Sequence, residues 1–229
     1  DPAALGELEL ETTTVCVPGK TAVAIDIAVR NLGAAEREVR IGLSAAARVT
    51  RSAEAWLDAE SPSERDTATV DGGCLVFGSA DGAAWSVQGL TGGSAALSGV
   101  AELPDAFDTG IGGNGRGGEL TAVLDVPAGG SARTGFVQAI GLSEAEARAT
   151  WDAVSADVPG AVAAAEEFWN RQLHAAFDPD DDEFSGALPV LDTASVPLRR
   201  LYWWAALGVI WFRRDFAENV LGRSYDTLM

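Results

Sequence analysis

The chain has 229 residues, enough to bury a sizeable core in one domain, or in one domain plus part of another. Its 34 acidic residues outnumber its 16 basic residues, so the formal net charge is −18. A field of this sign repels phosphate backbones and anionic lipid head groups, which excludes nucleic acid and membranes as expected partners and leaves neutral substrates such as sugars open.

The two ends of the chain do not look like natural termini. It begins with Asp1 instead of methionine and stops at Met229 without a polar tail, so we expect a piece of a longer protein. No charged segment followed by an apolar stretch opens the chain. Any signal peptide is therefore absent or was trimmed away, and the expected location is cytoplasmic.

Residues 1–142 have the pattern of short strands joined by turns. Apolar residues recur with a short period, and glycine, asparagine and aspartate separate the runs. Three hairpins are predicted, pairing residues 22–29 with 38–43, 73–78 with 84–88, and 119–126 with 132–140. Many short strands without intervening helices predict a mainly β domain, an antiparallel β-sandwich of the supersandwich kind.

Two details of this domain are specific enough to be checked. Side chains alternate along a strand, so one set of residues in the run 22–29 should point away from the other. The first set is Val23, Ile25, Ile27 and Val29, and the second is Ala24, Asp26 and Ala28. Residues 112–118 contain five glycines, and we expect them to form a mobile loop.

From Ser143 onward the apolar spacing becomes helical. Ser143 and Glu146 fit a capping box, which predicts a helix to about residue 156. Asp157 can cap a second helix that ends near residue 176. Ser195, followed by Pro197, can cap a third. We expect residues 143–193 to form a helical linker and residues 194–229 to begin another domain.

The third predicted helix is apolar around its whole circumference. Its apolar residues include Leu198, Leu201, Tyr202, Trp203, Trp204, Leu207, Val209, Ile210, Trp211 and Phe212. A helix of this kind must be surrounded by protein, and the chain supplies too few partners for it. Its apolar stretch is shorter than the roughly 20 residues that cross a bilayer. We therefore expect a helical domain that continues past Met229.

No metal site is expected. Asp178, Asp180 and Asp182 alternate like the first ligands of a calcium-binding EF-hand loop. Glu183 and Pro189, however, occupy the positions of the required glycine and glutamate, which favours a solvated acidic linker. His174 is the only histidine, and one histidine cannot build a multi-histidine zinc site. A surface or partly buried histidine is the favoured interpretation.

No catalytic residue is expected within this chain. Hydrolysis of a glycoside requires two carboxyl groups held across a pocket. The acids close to aromatic, buried-looking sequence are Glu166 with Glu167 and Asp215 with Glu218. Nothing in their spacing distinguishes catalysis from ordinary charges on a helix surface.

Aromatic residues supply the candidate contacts to a sugar. Tyr202, Trp203, Trp204 and Trp211 have flat faces that suit the C–H faces of a sugar ring, although a helix apolar all round places most of them in a core. Tyr225 ends an apolar segment where a loop should begin, beside Arg223 and Asp226. These last three residues are the predicted substrate-binding group.

The two cysteines, Cys16 and Cys74, each lie in an apolar run that is predicted to be a strand. They are too few for a disulfide scaffold. The sequence leaves open whether they are buried free thiols or form one bridge between strands.

The order of these parts resembles the six-hairpin glycosidases, and most closely their trehalase-like and glucosidase-like inverting members. The resemblance lies in residues 134–139, 165–169, 184–189 and 201–207, and its specific part covers residues 161–229. In that family an N-terminal supersandwich precedes an (α/α)6 barrel. The resemblance implies a sandwich over 1–142, a helical linker over 143–193, and the first helix of the barrel in 194–229.

The resemblance also implies a function. The chain would be the N-terminal, non-catalytic part of a glycoside hydrolase that acts on glucoside-like carbohydrates, with the catalytic acid and base deeper in the barrel. No cofactor is expected, and the carbohydrate is a partner of the full-length protein. The rival hypothesis is a stand-alone β-sandwich that binds carbohydrate or protein. A purely structural surface domain is the third class.

Overall fold

The computed structural model describes residues 6–47, 49, 66–80, 82–103, 113–184, 186–211, 213–214 and 225–226. The chain divides into two compact units, Asp1–Ala165 and Glu166–Met229, here called the sandwich unit and the helical unit. Their boundary falls inside the second helix. The division of the sequence at residues 142 and 193 stays a prediction.

Within its described part, the sandwich unit contains nine strands in two antiparallel sheets. They are β1 (Leu8–Cys16), β2 (Ala22–Asn31), β3 (Arg37–Ala47), β4 (Thr67–Asp71), β5 (Cys74–Gly78), β6 (Trp85–Leu90), β7 (Ser94–Leu103), β8 (Gly113–Val126) and β9 (Ser131–Gly141). The larger sheet has the order β1-β2-β9-β6-β5-β4, and the smaller has the order β3-β8-β7. The predicted antiparallel sandwich followed by helices is confirmed.

The main core lies between the two sheets. Ile27, Leu75, Phe77 and Leu90 of the larger sheet form one buried cluster with Ala47, Leu120 and Ala122 of the smaller sheet. Leu75, Phe77 and Leu120 have no exposed surface. Burying these apolar side chains is the main force that holds the two sheets together.

Helix α1 (Glu144–Ser155) and the first turn of helix α2 (Val158–Ala175) pack on the opposite face of the larger sheet. Two small clusters form this contact. One joins Ala22, Ala24, Val137 and Ala139 to Val154 and Val158, and the other joins Cys74, Val76 and Val87 to Ala147. Strand β5 is thus covered on both faces, which explains why each of its residues is buried.

The predicted alternation along β2 is confirmed by these clusters. Ile25 and Ile27 pack toward the smaller sheet, whereas Ala22 and Ala24 pack toward the helices. The small side chains belong to the face on which the helices rest, and the large ones fill the space between the sheets.

Two of the three predicted hairpins are wrong. β2 pairs with β1 and β9, while β3 pairs with β8 in the other sheet. β8 and β9 are likewise in different sheets. Only the middle hairpin, β5 with β6, is confirmed, with Leu75 opposite Gln88. A short turn can join two strands that pair with each other in a hairpin, or two strands in different sheets, which is called an arch. Pairing with strands that are distant in sequence determines which of the two forms.

Asn31 stabilises the two arches, β2–β3 and β8–β9, at one end of the sandwich. Its side chain is fully buried, and its Nδ2 donates to the carbonyl oxygens of Ala35 (2.7 Å) and Val126 (3.2 Å). Its Oδ1 accepts from the backbone N–H of Gly33 at 2.9 Å. One amide side chain therefore joins the β2–β3 arch to the end of β8.

The predicted glycine loop is also wrong over residues 113–118, which form the first part of β8. This stretch pairs with β3 on one side and β7 on the other, so its backbone donors and acceptors are used in the sheet. Only glycine fits at position 118, because a Cβ there would collide with Cδ2 of Leu75. Gly118 therefore permits close packing between the two sheets. Residue 112 lies outside the described residues.

The helix boundaries follow the predicted caps. Ser143 Oγ accepts from the N–H of Glu146 at 3.2 Å, and Glu146 Oε2 accepts from the N–H of Leu142 at 2.9 Å. Asp157 caps α2, and Ser195 precedes α3 (Val196–Trp211). Within the part of the chain that the structure describes, no helix combines the length and the apolar composition needed to span a membrane.

Both cysteines are free thiols. Cys16 is exposed at the end of β1, whereas Cys74 is buried against α1. Burial raises the pKa of the Cys74 thiol, and the nearby Arg148 guanidinium offsets this only in part. Cys74 is therefore a neutral, unreactive core residue at physiological pH.

Candidate functional site

The predicted substrate-binding group is only partly within the described residues. Tyr225 and Asp226 form a two-residue strand, β11 (Tyr225–Asp226), which pairs antiparallel with β10 (Arg213–Arg214). Arg223 lies outside the described residues, as do Asp215 and Glu218. The role of Tyr225, Arg223 and Asp226 in binding substrate stays a prediction.

The helical unit contains an open cleft of about 470 Å³. The last two turns of α2, the turn that follows and one side of α3 form its walls. Its lining residues are Asn170, Leu173, His174, Phe177, Asp178, Pro179 and Trp203. We call it the Trp203 cleft.

Aromatic rings form one wall of the Trp203 cleft. The centroid of the Phe177 ring lies 4.8 Å from that of Trp203, with 50° between the ring planes, and 6.0 Å from that of Tyr202. The Tyr202 hydroxyl donates a hydrogen bond to the Pro189 carbonyl oxygen, which anchors this ring. Trp203 keeps 43% of its surface exposed. The wall is therefore a supported aromatic surface that solvent reaches.

Polar groups also line the cleft. His174 Nδ1 lies 4.0 Å from Asp178 Oδ2, and the His174 side chain is 78% exposed. Asp178 Oδ1 accepts from the N–H of Asp180 at 2.9 Å. Asn170 is exposed one turn before His174. An amide, an imidazole and a carboxylate thus line one side of the cleft in succession.

The acidic segment after α2 uses its carboxylates to close turns. Asp178 accepts from the N–H of Asp180, and Asp181 accepts from the N–H of Glu183. These are local turns of the kind that aspartate commonly forms. Among the described residues, no group of three or more potential ligands is arranged to hold a metal ion.

Helix α3 has a second apolar side that is exposed to solvent. Leu198, Leu201 and Ala205 recur at the spacing i, i+3, i+7, and Leu201 and Trp204 are 65% and 71% exposed. We call these residues, with Trp204, the Leu201 face. On the other side of the helix Ala206 and Ile210 are buried, at 4% and 6% exposure. The helix therefore has one packed and one open apolar side.

The paired acids Glu166 and Glu167 are exposed on α2. Neighbouring positions on a helix project about 100° apart, so these two carboxylates do not face each other. Their arrangement is that of surface charges.

The sandwich unit has a smaller cleft that sequence reasoning missed. It has a volume of about 340 Å³ and is lined by Ala46, Ala47, Val49, Ala84, Trp85, Ser86, Gln138 and Ile140. Ser86 and its neighbour Gln88 are buried polar residues, at 1% and 4% exposure. Gln88 Nε2 donates to Ser86 Oγ over 3.5 Å, which is a long hydrogen bond.

No family model matches this sequence, and no curated protein does. Among solved structures that match in fold, one carries the description "Putative kojibiose phosphorylase from human microbiome". The alignment has a TM-score of 0.44 and 9% sequence identity, and it covers 76% of this chain. This chain spans 23% of that protein's length. At this identity and TM-score, the similarity concerns the fold alone.

Proposed function

We propose that this chain is the N-terminal, non-catalytic part of a glycoside hydrolase that acts on glucoside-like carbohydrates. In this proposal the sandwich supports a helical catalytic barrel, and α3 is the first helix of that barrel. The observation that carries the proposal is the Leu201 face, because it gives a long apolar helix an open side that only further protein can cover.

The free energy available at the Leu201 face supports this role. Leu198, Leu201 and Trp204 are 47%, 65% and 71% exposed. Complete burial of one large apolar side chain contributes about 1.5–3 kcal/mol, so covering these three contributes roughly 4 kcal/mol. The chain is otherwise rich in charged residues, with a net charge of −18, so a helix side that faces solvent would be expected to carry some of them. An open apolar side is thus best explained by a partner that packs on it.

The order of elements supports the same role. A sandwich, a linker of two helices and an apolar third helix follow each other in the chain, as in the six-hairpin glycosidases that the sequence resembles. The described acids of α2 do not form a catalytic pair, because Glu166 and Glu167 are adjacent and exposed. We therefore assign the chemistry to the barrel and a supporting role to this chain.

Enzyme assays test this proposal directly. We expect the 229-residue chain to hydrolyse none of a panel of α- and β-linked glucosides and disaccharides, and the longer protein that contains it to hydrolyse at least one. Hydrolysis needs two carboxyl groups roughly 5–10 Å apart across a pocket, and one barrel helix cannot form that pocket.

The controls for this assay are single substitutions of the exposed acids. Turnover by the chain alone that is lost in Glu166→Gln and kept in Glu167→Gln would show an active site within α2 and contradict the proposal. Inactivity of the longer protein on every glycoside would favour the rival hypothesis of a binding module.

A further inference from the structure

We propose that the Trp203 cleft binds a neutral pyranose unit of an oligosaccharide. This site is separate from the reaction assigned to the barrel, so the inference goes beyond the proposed function and does not depend on it. It is carried by three features of the cleft: an exposed and supported aromatic ring, a row of polar groups in the same lining, and the charge of the surroundings.

The aromatic wall fits the apolar faces of a pyranose. The C–H bonds on each face of a sugar ring pack well on a flat π-surface, and an indole offers the largest such surface among the side chains. Trp203 is 43% exposed, and Phe177 supports it at 4.8 Å. Phe177 is held in turn by Tyr202, whose hydroxyl bonds Pro189. The ring is therefore positioned before a ligand arrives.

The polar residues of the cleft fit the hydroxyl groups on the rim of the pyranose ring. Asn170 and His174 are one helical turn apart, and the N–H of Asp178 bonds the carbonyl oxygen of His174 at 3.1 Å. Their side chains thus follow one another along one edge of the cleft. Together they offer donors and acceptors, as neighbouring sugar hydroxyls require.

Charge and size select a neutral ligand of this class. The net charge of −18 and the Asp178 carboxylate disfavour anions such as phosphorylated or uronic sugars. The carboxylate is already engaged, since its Oδ1 accepts from Asp180 and its Oδ2 lies beside His174, which weakens it as a cation site. The volume of about 470 Å³ is within the range of small-molecule sites.

Trp203 and Trp204 lie on different sides of α3. Trp203 and Trp204 are consecutive, so they project about 100° apart on the helix. Trp203 belongs to the side of α3 that contacts Phe177, and Trp204 belongs to the open apolar side. The sugar site and the Leu201 face are therefore distinct surfaces of the helix.

Calorimetric titration of the 229-residue chain with maltotriose and cellotriose tests the proposal. We expect at least one of them to bind with a Kd on the order of 1 mM, as for a small exposed site. Trp203→Ala should weaken this binding by about tenfold or more, while the neighbouring Trp204→Ala should leave it unchanged. Trp203→Phe keeps an aromatic face and should retain most of the affinity, which separates loss of the ring from loss of the fold.

A second pair of variants tests the polar side. Asp178→Asn should weaken binding severalfold, because a charge-assisted hydrogen bond is replaced by a neutral one, and Asp180→Asn should not. No binding of either trisaccharide to the chain would overturn the proposal. So would an equal loss in Trp203→Ala and Trp204→Ala, or tighter binding of lysine amide than of the sugars. Turnover by the longer protein is measured separately, so failure of this site leaves the proposed function standing.

Discussion

Replacing Leu75 by alanine should lower the free energy of unfolding of the sandwich unit by about 2–5 kcal/mol. Leu75 has no exposed surface and belongs to the cluster between the two sheets. Its methyl groups fill the space that Gly118 leaves open on β8. Truncation therefore removes apolar contact and leaves a cavity that two hydrogen-bonded sheets cannot easily close. Urea denaturation followed by circular dichroism measures the effect.

Two further variants show whether this contact between sheets is the cause. Leu10→Ala makes the same chemical change on the edge strand β1, where the side chain is 50% exposed, and should cost less than about 0.5 kcal/mol. Gly118→Ala should cost about 1–3 kcal/mol, because its Cβ would collide with Leu75. The double variant should cost less than the sum of the two single costs. Strictly additive costs would contradict the described contact.

Asn31→Ala should lower the free energy of unfolding by about 2–4 kcal/mol. The substitution removes two donated hydrogen bonds and one accepted hydrogen bond from a site with no exposed surface. The carbonyl oxygens of Ala35 and Val126 and the N–H of Gly33 would each lose this partner, and an unsatisfied buried polar group costs about 1–3 kcal/mol. Chemical denaturation of the purified variant measures this cost.

The control for Asn31 is Asn170→Ala, the same change at an exposed position of α2, which should alter the free energy of unfolding by less than about 0.5 kcal/mol. Equal effects of the two substitutions would mean that the amide of Asn31 does not join the arches. A change in the denaturant slope without a change in midpoint would point instead to the unfolded state.

The parts of this fold that the sequence predicts are those specified locally. Ser143, Asp157 and Ser195 each cap a helix at the predicted place, because a capping side chain bonds a backbone N–H a few residues away. The β5–β6 hairpin is local in the same sense. The alternation of β2 follows from strand geometry alone.

The arrangement of strands into sheets depends on partners distant in sequence. The runs that form β2 and β3 are separated by a short turn, yet β2 pairs with β9 and β3 pairs with β8, strands that are distant in sequence. The glycine-rich start of β8 has the composition of a loop, and the reason for Gly118 is its contact with Leu75 of the other sheet. No local sequence pattern predicts that the amide of Asn31 joins two arches or that the methyl groups of Leu75 pack on Gly118.

The Trp203 cleft shows the same limit for a candidate site. The sequence analysis considered His174 for zinc, Asp178 for calcium and Trp203 for stacking on sugar, each separately. The structure places all three on one cleft, because α3 returns beside the end of α2. The available signal was the succession of Asn170, His174 and Asp178 at intervals of four residues, which places them along one edge.

The most direct test of the central claim is the stability of the longer protein when Leu201 is replaced by glutamate. If the barrel covers the Leu201 face, the substitution buries a charge without a partner. We predict a loss of at least about 3 kcal/mol in the free energy of unfolding of the longer protein, and less than about 0.5 kcal/mol in the 229-residue chain, where Leu201 is 65% exposed. Equal and small effects in both proteins would contradict the claim that α3 is the first helix of a barrel.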